Sequence, residues 1–122
     1  MVLIDTSVWI ALFRKEKNDI GQKMWTLVAE NQASICGQIW VEYIGGFRKE
    51  AERQKHEKAL KAFPFIEETR AAFEKAAALL ARYPFLGPGD AIIAATAITS
   101  KTPLFTLDKD FSRLGDEGLL LF

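Results

Sequence analysis

The residues of this chain most able to do chemistry are acidic, and four of them stand in unusual places. Among six aspartates, Asp5, Asp90 and Asp108 each fall where an apolar run meets the segment beside it. Asp5 closes Val2-Leu3-Ile4, Asp90 opens an alanine-rich stretch after Gly87-Pro88-Gly89, and Asp108 follows Leu104-Phe105-Thr106-Leu107, with Asp110 two residues on. Glu42 lies inside Ile39-Trp40-Val41-Glu42-Tyr43-Ile44, where the other five residues are apolar or aromatic. An ionised carboxylate in such company must find a cation or hydrogen-bond donors, or shift its pKa. Singly, each acid has a plain explanation: Asp90 as a helix N-cap, Asp5, Asp108 and Asp110 as turn residues, Glu42 as the edge of an exposed helix face. Together they form a pattern that capping does not explain. Carboxylates that converge repel one another and persist only with bound cations or shared protons. With one His and one Cys in the chain, no softer ligand set competes, and an all-oxygen site points to Mg²⁺ or Mn²⁺. Such an ion suits phosphodiester hydrolysis, where it activates water and neutralises charge on the phosphate.

The elements that must position these acids follow from the patterning. Segment 2–5 reads as a buried strand, 8–13 as helix with Thr6-Ser7 offering its cap, 20–30 as a helix with Met24, Leu27 and Val28 on one apolar face, and 33–36 as a second strand. Segments 38–47 and 48–61 read as helices, 63–66 as a strand broken from them by Pro64, and 69–83 as an alanine-rich helix capped by Thr69. A loop over 84–89 leads to a helix over 91–100, capped by Asp90; its apolar and small residues run nearly all round it, so it is buried. Two further strands are expected at 104–107 and 119–122. Strands alternating with helices predict an α/β fold: a short-stranded parallel sheet flanked by helices on both faces. In such folds ligands sit outside the carboxyl ends of the strands, which is where the aspartates are.

The 122 residues suit a single domain over 1–122. Sixteen basic residues balance sixteen acidic ones, which excludes a protein held to nucleic acid or membrane by net charge alone. No apolar run approaches a membrane span, no leader segment is read at the N-terminus, and a single cysteine is what a reducing compartment leaves. A cytoplasmic protein without membrane association is expected.

Taken in order, Ile4-Asp5-Thr6-Ser7-Val8, Glu42 in a helix after the second strand, Gly89-Asp90-Ala91-Ile92-Ile93-Ala94-Ala95-Thr96-Ala97 and Leu104-Phe105-Thr106-Leu107-Asp108-Lys109-Asp110-Phe111 resemble a PIN-domain nuclease. The likeness extends over essentially the whole chain and is strongest to the VapC-type toxins of bacterial and archaeal toxin–antitoxin pairs. It implies a PIN-like fold and a Mg²⁺- or Mn²⁺-dependent endoribonuclease. Asp5, Glu42, Asp90 and Asp108 would form its catalytic, metal-binding quartet. It places Thr6 and Thr106 as hydroxyls that orient those carboxylates, with Asp110 assisting or replacing Asp108. It further implies an RNA substrate, a homodimer, and a VapB-like antitoxin whose tail lies along the toxin and sets a basic side chain against the acids. DNA would be met only through that antitoxin.

Other readings are weaker. A receiver domain needs an aspartate near the middle of the chain, and none lies between Asp19 and Asp90. A haloacid-dehalogenase-type phosphatase needs a second aspartate where Ser7 stands, and a dinucleotide-binding domain needs a glycine-rich first turn. A PIN-like module that binds RNA or protein without cutting remains, as does a PIN nuclease of RNA processing without an antitoxin. For gripping RNA, segment 48–61 carries six basic and three acidic residues, and Arg14, Lys15 and Lys17 form a second cluster. Arg14, Lys15, Arg48, Lys49 and Arg53 are the candidate phosphate contacts, against a plain reading as solvated faces. His56, amid charges, reads as a surface residue rather than a general base. Trp9, Phe13, Trp25 and Trp40 read as core, some of them alternatively as walls of an interaction groove. Cys36 reads as a buried small hydrophobe.

Overall fold

The computed structural model describes residues 1–15 and 19–122, so Lys17 lies outside the described residues. Four parallel strands, β1 (Val2–Ile4), β2 (Ala33–Cys36), β3 (Phe65–Ile66) and β4 (Leu104–Phe105), form one sheet in the order β3-β2-β1-β4. All residues of β1 and β2 are buried, so both faces of the sheet are covered, as a parallel sheet requires. The covering helices are α1 (Thr6–Phe13), α2 (Ile20–Ala29), α3 (Gly37–Ile44), α4 (Glu50–Leu60), α5 (Arg70–Arg82) and α6 (Pro88–Thr99), followed by a 3-10 segment, Lys109–Glu117. Leu3 pairs with Ser34 on one side and Leu104 on the other. The chain thus builds outward from β1 through β2 to β3, then crosses back to lay β4 on the opposite side of β1. That reversal leaves a crevice beyond the carboxyl ends of β1 and β4.

Helix faces follow their spacing. Ile20, Met24 and Leu27 bury one side of α2, and Ala72, Ala76 and Leu79 one side of α5, which packs along α6. Alanines at 91, 94, 95 and 97 are buried with Ile93 and Thr96, so α6 is the central helix of the core. Thr69 caps α5, its hydroxyl accepting from the Ala72 N–H at 3.2 Å. None of the helices among the described residues is long and apolar enough to cross a membrane.

The structure departs from the sequence reading at element ends. Helix α1 begins at Thr6 with Asp5 in the N-cap position, so Thr6-Ser7 is inside the helix. Helix α6 begins at Pro88, not Ala91: Gly87 is the N-cap and Asp90 is in the first turn rather than capping. Proline at the first helical position needs no N–H and already has helical φ, so a glycine–proline loop signal is here a helix start. Helix α4 excludes Arg48, and Lys49 takes its N-cap position. Strand β4 stops at Phe105, and the next residue, Thr106, gives its hydroxyl to Asp5. Segment 119–122 makes only one bridge, Leu121 to Leu104. Val28 and Trp25 point outward, Trp25 being 74% exposed, and Phe13 is 48% exposed, so neither ring is core. Trp9 is buried and Trp40 partly so.

Candidate active site

The crevice between β1 and β4 is tied together by two hydroxyls. Asp5, 4% exposed, has Oδ2 accepting from Ser7 Oγ at 2.7 Å and from Thr106 Oγ1 at 2.8 Å. Each hydroxyl in turn accepts a backbone N–H from the turn after β4: Leu107 N–H to Ser7 Oγ at 3.0 Å and Asp108 N–H to Thr106 Oγ1 at 3.0 Å. A hydroxyl has one proton to give. The accepted N–H groups therefore leave both protons committed to Asp5, which fixes its carboxylate and the backbone before Asp108 at once. Oδ1 of Asp108 then accepts the Asp110 N–H at 2.9 Å and caps the 3-10 segment.

Glu42 reaches the same crevice from α3. Its Oε1 accepts from Thr6 Oγ1 at 2.6 Å and its Oε2 from Gln38 Nε2, one turn earlier, at 2.9 Å. Charge-assisted bonds to both oxygens are the donors that an ionised carboxylate in an apolar helix needs. The other wall of this pocket is Gly89 of α6: a Cβ there would collide with Glu42 Oε2 and come within 2.9 Å of Gln38 Nε2. The start of α3 is held by Glu68, whose carboxylate accepts from Gly37 N–H at 3.0 Å and Gln38 N–H at 2.6 Å.

Asp90, next to Gly89, lies within the electrostatic reach of the others. Its pKa is raised from 3.8 to about 6, first by burial and then by the negative charges of Asp5, Asp108, Glu42 and, last, Asp110. The structure therefore brings Asp5, Glu42, Asp90 and Asp108 into one negative field. Asp110 is exposed and makes the smallest of the four charge contributions at Asp90. The all-oxygen, anionic donor set fits Mg²⁺ or Mn²⁺. Among the described residues no three acidic, His or Cys side chains are drawn into a group able to hold a metal. The raised pKa of Cys36, about 12, comes mainly from burial, with Glu68 adding to it; the thiol is inert packing, as expected.

The sequence matches the PIN domain family over residues 2–117. The chain belongs to the PIN domain family. This PIN domain superposes on a toxin–antitoxin complex from Klebsiella pneumoniae with TM-score 0.79 and 30% identity, over 98% of this chain and 96% of that one. It is similar in fold to VapBC2 from Rickettsia felis bound to a promoter DNA fragment (TM-score 0.81, 20% identity, 100% and 98% covered). The sarcin-ricin loop-cleaving toxin VapC20 of Mycobacterium tuberculosis shares the fold as well (TM-score 0.74, 20% identity, 94% and 95% covered). No curated protein matches the chain.

The basic candidates of this PIN domain divide. Arg14, Arg48 and Lys49 line an open groove of about 490 Å³ that starts at Glu42 and runs between α1 and the α3–α4 connection. Lys15 is exposed beside it with φ 53°. Arg53 instead turns back to Glu50 on its own helix at 3.8 Å, the ordinary behaviour of a solvated helix face. His56 is not a free surface residue: its ring stacks on Phe47 at 4.1 Å, with Phe13 at 5.2 Å and Tyr43 at 5.8 Å edge-on. An imidazole is flat and half apolar, so it completes this aromatic cluster although its sequence neighbours are charged. Ser7, Gln38, Glu68 and Gly89 belong to the site without standing out as site residues in the sequence. Ser7 two places after Asp5 and Gln38 one helical turn before Glu42 carry a readable spacing signal. Glu68 and Gly89 carry none, because their partners are distant in sequence.

Proposed function

We propose that this PIN domain is a Mg²⁺- or Mn²⁺-dependent endoribonuclease and the toxin of a VapC-type toxin–antitoxin pair, acting in the cytoplasm. The observation that carries the reading is the negative field at Asp90, made by Asp5, Asp108 and Glu42 at the ends of strands and helices that converge beyond β1 and β4. Asp5, Glu42, Asp90 and Asp108 would hold the ion, with Asp110 at the rim. When bound, the ion supplies a water of lowered pKa and neutralises charge on the phosphate. The chain's own residues do the positioning. Ser7 and Thr106 hold one oxygen of Asp5, while Thr6 and Gln38 hold the two oxygens of Glu42 in place. Burial and the neighbouring acids push the Asp90 carboxyl up to about 6, so it parts with its proton less readily than an ordinary aspartate. In the hydrolysis, water oxygen bonds to phosphorus, the P–O ester bond breaks, and the water's proton ends on the leaving oxygen or solvent. Arg14, Lys15, Arg48 and Lys49 are the phosphate contacts of the RNA.

The partner of this reading is a VapB-like antitoxin, supported by the toxin–antitoxin complexes to which the chain is similar; DNA is reached through it. A homodimer is supported by a shallow apolar surface at Trp40, Val41 and Phe65, with Phe73 also exposed. The test is cleavage of single-stranded or loop RNA with Mg²⁺ or Mn²⁺, with and without chelator, by wild type, Asp5→Asn and Asp90→Asn. Both substitutions remove charge with little change of volume and should abolish cleavage in folded protein. Cleavage at the wild-type rate by either variant, or in chelator, refutes the assignment.

A further inference from the structure

The groove that begins at Glu42 is built for more than phosphate. Phe13 leaves 48% of its surface open, yet its ring is braced edge-on by Phe47 at 5.3 Å and His56 at 5.2 Å. It is an apolar face with two ring contacts beneath it. Arg14, Arg48 and Lys49 share the groove with it, and none of the three makes an ion pair among the described residues. Among the described residues, Glu52 is the one acidic side chain on the groove besides Glu42. The volume of about 490 Å³ lies within the roughly 300–1,000 Å³ of sites that enclose a small organic ligand. A flat open ring, three cations without an ion pair among the described residues and Glu42 of the acid cluster on the wall are the parts of a single-strand nucleic-acid site, in which bases stack on aromatics and phosphates meet cations.

We propose that this groove is a nucleoside subsite: it takes the base of one unpaired RNA nucleotide neighbouring the phosphate at the acid cluster, stacked on Phe13, with its phosphates on Arg14, Arg48 and Lys49. This rests on the ribonuclease reading for the identity of the strand, and it adds a structural demand to it. The base must be unstacked to enter, so the substrate is single-stranded or a loop, because duplex RNA buries its base faces.

The experiment uses the full chain carrying Asp5→Asn, which should bind without cutting, and a short fluorescein-labelled single-stranded RNA containing all four bases, read by anisotropy with Mg²⁺ present. Phe13→Leu keeps an apolar contact for Phe47 but lacks a stacking face, and its melting temperature verifies the fold. It should weaken binding about 5- to 150-fold, the range of one base–aromatic stack. Replacing nucleotides one at a time by abasic sites should weaken binding at one position of the strand when Phe13 is present, and at no position when Phe13→Leu is added. Arg48→Gln with Lys49→Gln should weaken every strand and lower the salt dependence. The same strand annealed into a duplex should bind more weakly and ignore Phe13→Leu. Unchanged affinity in folded Phe13→Leu overturns the subsite, as does equal affinity for duplex. So does a result in which Phe13→Leu spares RNA but loses an antitoxin, which makes the groove a protein site. Abasic-sensitive binding by a wild type that cuts no RNA would support the subsite while refuting the nuclease. Normal cutting by Phe13→Leu with unchanged KM would refute the subsite alone.

Discussion

Gly89→Ala isolates the geometry of Glu42 from the chemistry of the acids. Gly89 lies in the first turn of α6, where alanine fits the backbone and gains up to about 1 kcal/mol of helix preference. Its Cβ, however, meets Glu42 Oε2 and lies 2.9 Å from Gln38 Nε2 and 3.5 Å from Glu42 Cδ. The carboxylate must rotate away, which bends or breaks the bonds from Thr6 at 2.6 Å and Gln38 at 2.9 Å. Hydrogen bonds to a charged group are worth about 1.5–3 kcal/mol each when water cannot replace them. Glu42 is only half-buried, so water restores most of that loss and the helix preference offsets part of the rest. The net change in stability should be about 0–2 kcal/mol. Catalysis has no such compensation: a displacement of about 1 Å in a positioned group costs on the order of 100-fold. RNA cleavage at saturating Mg²⁺ should fall by about that factor, while the melting temperature moves by only a few degrees. Gly87→Ala is the matched control, since a Cβ there meets nothing within 4 Å, and it should cut normally. Cleavage by folded Gly89→Ala within about threefold of wild type, far short of the loss expected from misplacement, would refute the role given to Glu42.

In chelator, Asp90 should make the protein pH-sensitive in a definite direction. Its folded pKa of about 6 lies above the ordinary 3.8, so its contribution to stability is complete below about pH 3.8 and is lost as pH rises through about 6. The melting temperature of Asp90→Asn minus that of wild type should therefore increase between those values; a flat difference would show that Asp90 is unshifted. Glu68→Gln weakens two charge-assisted bonds at the start of α3 and should cost about 1 kcal/mol, read as a lower urea midpoint with unchanged slope. An unaltered midpoint would remove Glu68 from the support of α3. Val41→Lys, on the exposed apolar surface beside Phe65, should shift sedimentation at micromolar concentration from dimer to monomer, and a wild type that is already monomeric would refute the dimer.

What the sequence by itself determined is local. The alternation of apolar runs with helical spacing specifies a parallel α/β sheet, because period and burial go together: Val2–Ile4 and Ala33–Cys36 are continuous apolar runs apart from Ser34, and all of their residues are buried. The same alternation sets Asp5 directly after β1 and Asp108 in the turn that follows β4, and Thr69 as a cap is a matter of three neighbouring residues. Tertiary structure decided the pairings. Thr106 meets Asp5 across 101 positions, Thr6 meets Glu42 across 36 and Glu68 reaches Gly37 across 31, and only the crossover that puts β4 beside β1 makes the first of these possible. Gly89 matters because of a side chain on another helix, and Asp90 departs from its ordinary pKa because of burial and charges on other elements. The outward turn of Trp25 and the brace around His56 are likewise set by which helix lies opposite. Propensity and periodicity describe how a segment treats its own neighbours; steric exclusion and Coulomb fields act between segments, and they come into being when the chain has folded.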